Sequence, residues 1–175
     1  HNAKIEPSVE IHSAWGSFEW IVHDAFDANY RVGIVASSDG HKGRPGASYP
    51  GDASFGSYGG LTCHLLETFD RDGLFEGFRR RHHYATTGAR MYLSARAEFE
   101  NEATVFLRNP ELGDVESEPA TSAIMGDIVQ TNDDEVTYTI DVVGSAPLER
   151  IDLRDGHDTF ETIRAYDESS LGNRI

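Results

Sequence analysis

The sequence predicts an α/β segment followed by an antiparallel β segment, and three observations support this fold class. A strand–helix–strand pattern occupies residues 8–36. After residue 90, the apolar residues change from helical spacing to alternation with polar residues. Turn-forming residues then recur at short intervals, as in Asn132-Asp133-Asp134 and Asp155-Gly156. We therefore expect two domains, over residues 1–88 and 89–175, the second of them a β-sandwich-like domain.

The α/β segment is predicted from the periodicity of its elements. Residues 8–12 alternate between apolar and polar side chains, as in a half-buried strand. Residues 18–30 carry apolar side chains at helical spacing. Residues 32–36 form an apolar run between polar segments, which is typical of a buried parallel strand. A strand, a helix and a strand within about 30 residues predict a βαβ unit with parallel strands. A second amphipathic helix is predicted over residues 71–82.

The second segment is predicted to consist of short strands. Residues 91–99 and 135–143 place apolar side chains at every second position, so one face of each strand is apolar. Further strands are predicted over residues 103–107, 121–129, 148–154 and 159–165. Several short strands at this spacing predict a small antiparallel β-sandwich.

Charge and composition exclude several classes of partner. The chain has 30 acidic and 15 basic residues, for a formal net charge of −15. Such a balance argues against binding to DNA or to an anionic membrane, since both require a basic surface. No apolar run is long enough to span a bilayer. Cys63 is the single cysteine, so an intramolecular disulfide is excluded. We therefore expect neither nucleic acid nor membrane as a partner.

The candidate site begins directly after the predicted strand 32–36. Asp39 and His41 are two residues apart, so in an extended loop their side chains point the same way. Ligands of α/β cores collect beyond the carboxyl ends of the strands. Carboxylate and imidazole groups are common metal ligands. The spacing is compatible with half of a metal site, although taken alone it favours a plain turn.

Longer motifs around this pair resemble a known family. The segments VEIHSAWGSFEW, YRVGIVASSDGHKGRPG, FGSYGGLTC and FRRRHHYATTGAR occur in the order in which they are found in an uncharacterised family of the PHP (polymerase and histidinol phosphatase) superfamily. These motifs are spread over about residues 9–90. The later segment VGSAPLERIDLRDG is similar to the β-sandwich that follows the barrel in that family. The resemblance implies a partial PHP-type (β/α)7 barrel over residues 1–88, followed by the sandwich.

The resemblance also implies a function. PHP proteins are metal-dependent hydrolases that use metal-activated water, usually on phosphate esters. The expected cofactor is a divalent transition metal, Zn, Mn or Fe, and the expected partner is a phosphorylated small molecule. Asp39 and His41 fall on the family's last metal-binding motif, and His1 is the candidate for a third ligand.

Four further residues are candidates for the same site. Lys42 and Arg44 follow the motif and are expected to bind substrate phosphate, for which arginine offers two parallel donors. Glu10 and His12 share a face of the first predicted strand and are candidates to line the site, although a strand-end histidine with an ordinary hydrogen bond is the alternative interpretation of His12. No residue is assigned as a catalytic acid or base.

The sequence departs from the family at one important point. PHP proteins carry an H-x-H motif on their first strand, and these 175 residues do not contain it. The resemblance therefore implies the carboxyl-terminal portion of a longer chain. Two alternatives stay open: a non-catalytic binding or assembly module with a degenerate barrel remnant, or a protomer that completes its barrel as a homo-oligomer or with a complementary segment.

Overall fold

The computed structural model of the chain describes residues 1–44 and 57–165. The helices are α1 (Trp20–Asp27) and α2 (Arg71–Arg79), and a short 3-10 helix spans Pro110–Leu112. The strands, in chain order, are β1 (Ser8–Ser13), β2 (Gly16–Ser17), β3 (Gly33–Ala36), β4 (Leu61–His64), β5 (His83–Thr86), β6 (Tyr92–Phe106), β7 (Ser117–Ile124), β8 (Ile128–Gln130), β9 (Thr137–Val143), β10 (Arg150–Asp155) and β11 (Asp158–Arg164). The chain divides into two compact units, His1–Val143 and Gly144–Ile175. The domain boundary that the sequence predicts at residue 88 stays a prediction.

The first sheet contains the predicted βαβ unit. Its strand order is β2-β1-β3; β1 and β3 are parallel, and α1 connects them. Glu10 pairs with Val35 and His12 pairs with Ala36, so β1 has one extra residue between these pairs. This β-bulge lies at the carboxyl end of the strand, where bulges commonly redirect side chains toward a site.

The next strands overturn the predicted barrel. Strands β4 and β5 are antiparallel to each other, although α2 lies between them in the chain. A (β/α)7 barrel requires each helix to connect parallel strands, and α2 does not. Strands make up 43% of the described residues, in several small sheets, and none of these sheets closes into a barrel. The predicted partial PHP-type (β/α)7 barrel is therefore wrong.

One antiparallel sheet follows, organised around β6. This strand has 15 residues and joins the two strands predicted over residues 91–99 and 103–107. Strand β7 pairs along one edge of β6, while β9 and β8 pair with its first and last parts. The pairing with β7 shifts between Glu98 and Ala103, so the polar residues there form a bulge within one strand. In the second unit, β10 and β11 form an antiparallel hairpin.

The turn after α2 binds the turn between β7 and β8. The Asp127 carboxylate accepts hydrogen bonds from His82 Nε2 at 2.8 Å and from an Arg80 terminal nitrogen at 3.1 Å. Arg81 Nε donates to the Gly126 carbonyl oxygen at 3.0 Å. Gly126 has φ +98°, and a Cβ there would lie 2.2 Å from the Arg81 carbonyl oxygen. These contacts attach the β6 sheet to the segment that precedes it.

The apolar core is thin. The buried apolar residues are Ala14, Val22, Ala25, Ala36, Tyr84, Ala103, Val105 and Ala123. No large side chain within the described ranges is fully buried, and large apolar side chains stay exposed on both helices, including Trp20 (60%) and Phe75 (50%). In the same ranges, neither helix has the length and hydropathy that a membrane span requires.

Candidate functional site

The carboxyl ends of the parallel strands β1 and β3 form one cluster of polar side chains. The Ser37 amide donates to the His12 carbonyl oxygen at 3.1 Å, and the Ala14 amide donates to the Ser38 carbonyl oxygen at 3.3 Å. The loops that leave the two strands therefore run side by side. We call this cluster the strand-end site, formed by Glu10, His12, Trp15, Ser37, Asp39 and His41.

Two of these side chains come from β1, on either side of its bulge. Glu10 Oε1 accepts a hydrogen bond from Ser37 Oγ at 2.5 Å, which joins the two strands. His12 Nδ1 is hydrogen-bonded to Ser17 Oγ at 2.7 Å. His12 Nε2 is buried and has no hydrogen-bond partner in the described part of the chain. When Nδ1 donates to Ser17, Nε2 carries a lone pair, as in a histidine that binds metal.

The loop after β3 supplies Asp39 and His41. Asp39 has φ +46°, a left-handed conformation that is uncommon for residues other than glycine and is enriched at functional sites. Its carbonyl oxygen accepts a hydrogen bond from Trp15 Nε1 at 3.2 Å. The rings of Trp15 and His41 meet edge to face, with centroids 5.1 Å apart. Trp15 therefore fixes the backbone of one candidate ligand and contacts the ring of the other.

The segment before β4 packs against the same loops. Ser57 Oγ donates to the Ala14 carbonyl oxygen at 2.7 Å, and the Gly60 amide donates to the Ser37 carbonyl oxygen at 2.8 Å. A Cβ at Gly60 would lie 2.3 Å from the Ala36 Cβ, so only glycine allows this approach. The segment supports the strand-end site from one side.

The structure does not bring His1 to the strand-end site. The His1 ring stacks on Tyr30, with centroids 4.2 Å apart, and its Nε2 is hydrogen-bonded to the Glu6 carbonyl oxygen at 3.1 Å. Tyr30 precedes β3, whereas Asp39 follows it, and a strand of this length spans about 13 Å. Lys42 and Arg44 are exposed in the loop that continues from His41.

The donor types at the strand-end site fit a divalent transition metal, but the donor count does not. Zinc centres usually have three or more protein ligands. Among residues 1–44 and 57–165, no three His, Cys, Asp or Glu side chains converge closely enough to hold a metal ion. The strand-end site therefore offers at most two of its His and Asp side chains to one metal ion.

We compared the chain with models of protein families, with curated proteins and with solved structures. None of the three comparisons gave a match. The resemblance to PHP proteins therefore stays a prediction from the motifs, and a functional conclusion depends on the geometry of the site.

A second histidine cluster was missed at the level of sequence. His83 is the first residue of β5, pairs with His64 of β4, and is 3% exposed. The His83 ring lies 5.3 Å from that of His64 and 5.2 Å from that of Phe78. Burial, and next the charge of His64, lower the pKa of His83 to about 4. Burial also lowers the pKa of His64.

One ring nitrogen of each histidine in this cluster, Nδ1 of His64 and Nδ1 of His83, is buried without a hydrogen-bond partner in the described ranges. Because the pKa of His83 is about 4, its ring is neutral at pH 7, and its Nε2 is hydrogen-bonded to Ser8 Oγ at 2.9 Å. The sequence pattern predicted a helix over residues 71–82 and gave no signal for the strand that begins at His83.

Proposed function

We propose that this chain contributes a metal-binding half-site to a hydrolase that acts on phosphate esters. The observation that supports this proposal best is the buried His12 Nε2, which has no hydrogen-bond partner in the described ranges. The backbone carbonyl of His12 is hydrogen-bonded to Ser37, which precedes Asp39 and His41 in the same loop. A buried ring nitrogen without a partner is costly unless a ligand complements it. The site also lies beyond the carboxyl ends of parallel strands, where α/β folds commonly bind ligands.

The proposed roles follow from the chemistry of each group. The strand-end site supplies at most two of the three groups His12, Asp39 and His41 to a divalent transition metal, Zn, Mn or Fe, and ligands from elsewhere complete the set. Such a metal, when bound, lowers the pKa of a bound water and polarises a phosphoryl oxygen. Lys42 and Arg44 bind the phosphate oxygens. His1 is left out of this ligand set because it stacks on Tyr30 beyond the other end of β3.

Metal binding to two variants tests the proposal. Equilibrium dialysis against Zn²⁺ and Mn²⁺ is carried out on the wild type and on the double variant His12→Gln/His41→Gln. The control is His157→Gln, an exposed histidine in the β10–β11 turn. The expected result is at least tenfold weaker metal binding in the double variant and unchanged binding in the control. Equal binding by all three proteins would overturn the proposed site.

Hydrolysis of p-nitrophenyl phosphate in the presence of Mn²⁺ tests the catalytic part of the proposal. Activity that the double variant loses and His157→Gln retains supports a hydrolase. Metal binding at the site without any activity would contradict catalysis by this chain alone.

A second candidate function is a non-catalytic assembly module. The incomplete ligand set within the described ranges favours it, as do the exposed apolar side chains on both helices, such as Trp20 and Phe75. Exposed apolar surface of this kind favours association with another chain. Sedimentation velocity over a concentration series tests this candidate. A sedimentation coefficient that rises with concentration supports it, and a constant monomer value contradicts self-association.

A further inference from the structure

A groove of about 680 Å³ lies away from the strand-end site, along the amino-terminal half of β3. Its volume falls within the range of about 300–1,000 Å³ that is usual for small-molecule pockets. Most of its lining is apolar and includes Phe26, Tyr30, Val32, Ile34, Leu93 and Ile128. The groove therefore has the size and the walls of a site for an apolar small molecule.

Two arginines line this groove: Arg31, which is paired with Glu111, and the buried Arg81. Arg81 is 5% exposed and contributes to the lining. Its guanidinium group donates to two backbone carbonyl oxygens, of Gly126 at 3.0 Å and of Arg79 at 3.2 Å. No carboxylate of the described residues lies within ion-pair distance of it. A buried charge with only neutral acceptors is unfavourable, and an anion would relieve this cost.

The carboxylate of Asp127, which also lines the groove, already accepts hydrogen bonds from other groups. One of its oxygens accepts hydrogen bonds from His82 and Arg80, and the other accepts one from the Ile124 amide. Burial lowers the pKa of Arg81; the charge of Asp127 opposes this effect, and the charges of Arg80 and Arg108 add to it. Asp127 lines the same groove, but no hydrogen bond joins its carboxylate to the guanidinium group of Arg81.

We propose that this groove binds a small molecule with an apolar body and a single carboxylate group, and that the carboxylate pairs with Arg81. The apolar walls match the body of such a ligand, and a guanidinium group matches a carboxylate in shape and charge. A phosphate dianion fits less well, because one buried arginine supplies too few donors for its oxygens. This proposal is independent of metal binding at the strand-end site.

Three probes of equal chain length test the proposal on the wild-type protein. Isothermal titration calorimetry is carried out with n-decanoate, n-decanol and n-decylamine below their aggregation concentrations. Decanoate is expected to bind with a stoichiometry of one, at least tenfold more tightly than either of the other two. Absence of decanoate binding, or equal affinity for all three probes, would overturn the proposal.

Two variants on α1 locate the site without disturbing the buried arginine. Phe26 lines the groove and is 38% exposed, whereas Trp20 lies outside the groove lining and is 60% exposed. Phe26→Asp is expected to weaken decanoate binding at least tenfold, because it removes an apolar contact and adds a like charge. Trp20→Asp is the matched control and is expected to bind as the wild type does. An equal loss of decanoate affinity in the two variants would contradict binding in the groove.

The head-group contact is tested at Arg81 itself. Arg81→Gln is expected to weaken binding of decanoate at least tenfold and to leave the weaker binding of decanol unchanged. Arg81→Lys retains the charge and is expected to lose less affinity than Arg81→Gln. A decanoate affinity that is the same in the wild type and in a folded Arg81→Gln protein would refute the proposed ion pair.

Discussion

Asp127 is expected to be one of the most important polar residues for the stability of the His1–Val143 unit. Its side chain is 7% exposed and accepts three hydrogen bonds, from His82, from Arg80 and from the Ile124 amide. Asp127→Ala removes all three and leaves Arg80 and His82 without their carboxylate. Removing one partner of a buried charge pair costs about 3–5 kcal/mol. Because Arg80 retains 20% exposure, we expect a loss near the lower limit, about 3 kcal/mol.

A surface ion pair in the same unit provides the control. Arg31 and Glu111 are 3.0 Å apart, but their side chains are 49% and 41% exposed. Exposed pairs of this kind contribute about 0–1 kcal/mol. Urea unfolding at pH 7 should therefore separate Asp127→Ala from Glu111→Ala by about 2 kcal/mol in the free energy of unfolding. Two variants that differ from the wild type by the same small amount would refute the role of Asp127.

The stabilisation that the Asp127 carboxylate provides depends on pH. Burial opposes ionisation of Asp127, but the hydrogen bonds from His82 and the Ile124 amide and the nearby positive charges outweigh it and lower the pKa. A lowered carboxyl pKa in the folded state stabilises the protein above the unfolded-state value of 3.8. This contribution is lost as the pH falls through the lower, folded-state pKa. The Asp127→Ala variant should therefore be closest to the wild type in stability under acidic conditions.

Two further predictions concern buried groups. The pKa of His83 is lowered from 6.5 to about 4, so between these pH values the unfolded state binds more protons, and the free energy of unfolding should rise with pH by up to about 3 kcal/mol. Urea unfolding at pH 4.5 and pH 7.5 measures this rise. A rise of the same size in the His83→Gln variant would contradict its assignment to His83. Gly126→Ala should cost more than about 2 kcal/mol, because its Cβ would lie 2.2 Å from the Arg81 carbonyl oxygen. Gly113 also has a positive φ, but a Cβ there would meet no atom of the described residues within 4 Å, so Gly113→Ala should cost about 1 kcal/mol. Urea unfolding measures both variants, and equal losses of stability would refute the close contact at Gly126.

Local patterns in the sequence were sufficient to predict the βαβ unit. Periodicity located β1, α1 and β3, and the apolar run at residues 32–36 indicated a buried strand. The barrel was wrong because the direction in which strands pair depends on contacts between distant segments. Nothing in the periodicity of residues 61–86 distinguishes antiparallel β4 and β5 from a second βαβ unit. The pattern divides the long strand β6 in two because its bulge carries polar residues.

The pattern also predicted which candidate residues lie at the same edge of the first sheet, while their role in a site stays a prediction. Because parallel strands have their carboxyl ends at one edge, the pattern brought Glu10 and His12 together with the loop of Asp39 and His41. The position of His1 was not predictable, because it depends on a ring contact with Tyr30. The Arg81 groove could not be predicted either, since its walls come from separate parts of the chain.

Binding of metal at the strand-end site is the central claim, and a paramagnetic titration tests it directly. Mn²⁺ is added to protein with isotope-labelled histidines, and the ring resonances are followed by NMR. We predict that the resonances of His12 and His41 broaden first, at substoichiometric Mn²⁺, before those of the other histidines. Broadening that is uniform across all histidines, or that begins at residues other than His12 and His41, would contradict metal binding at this site.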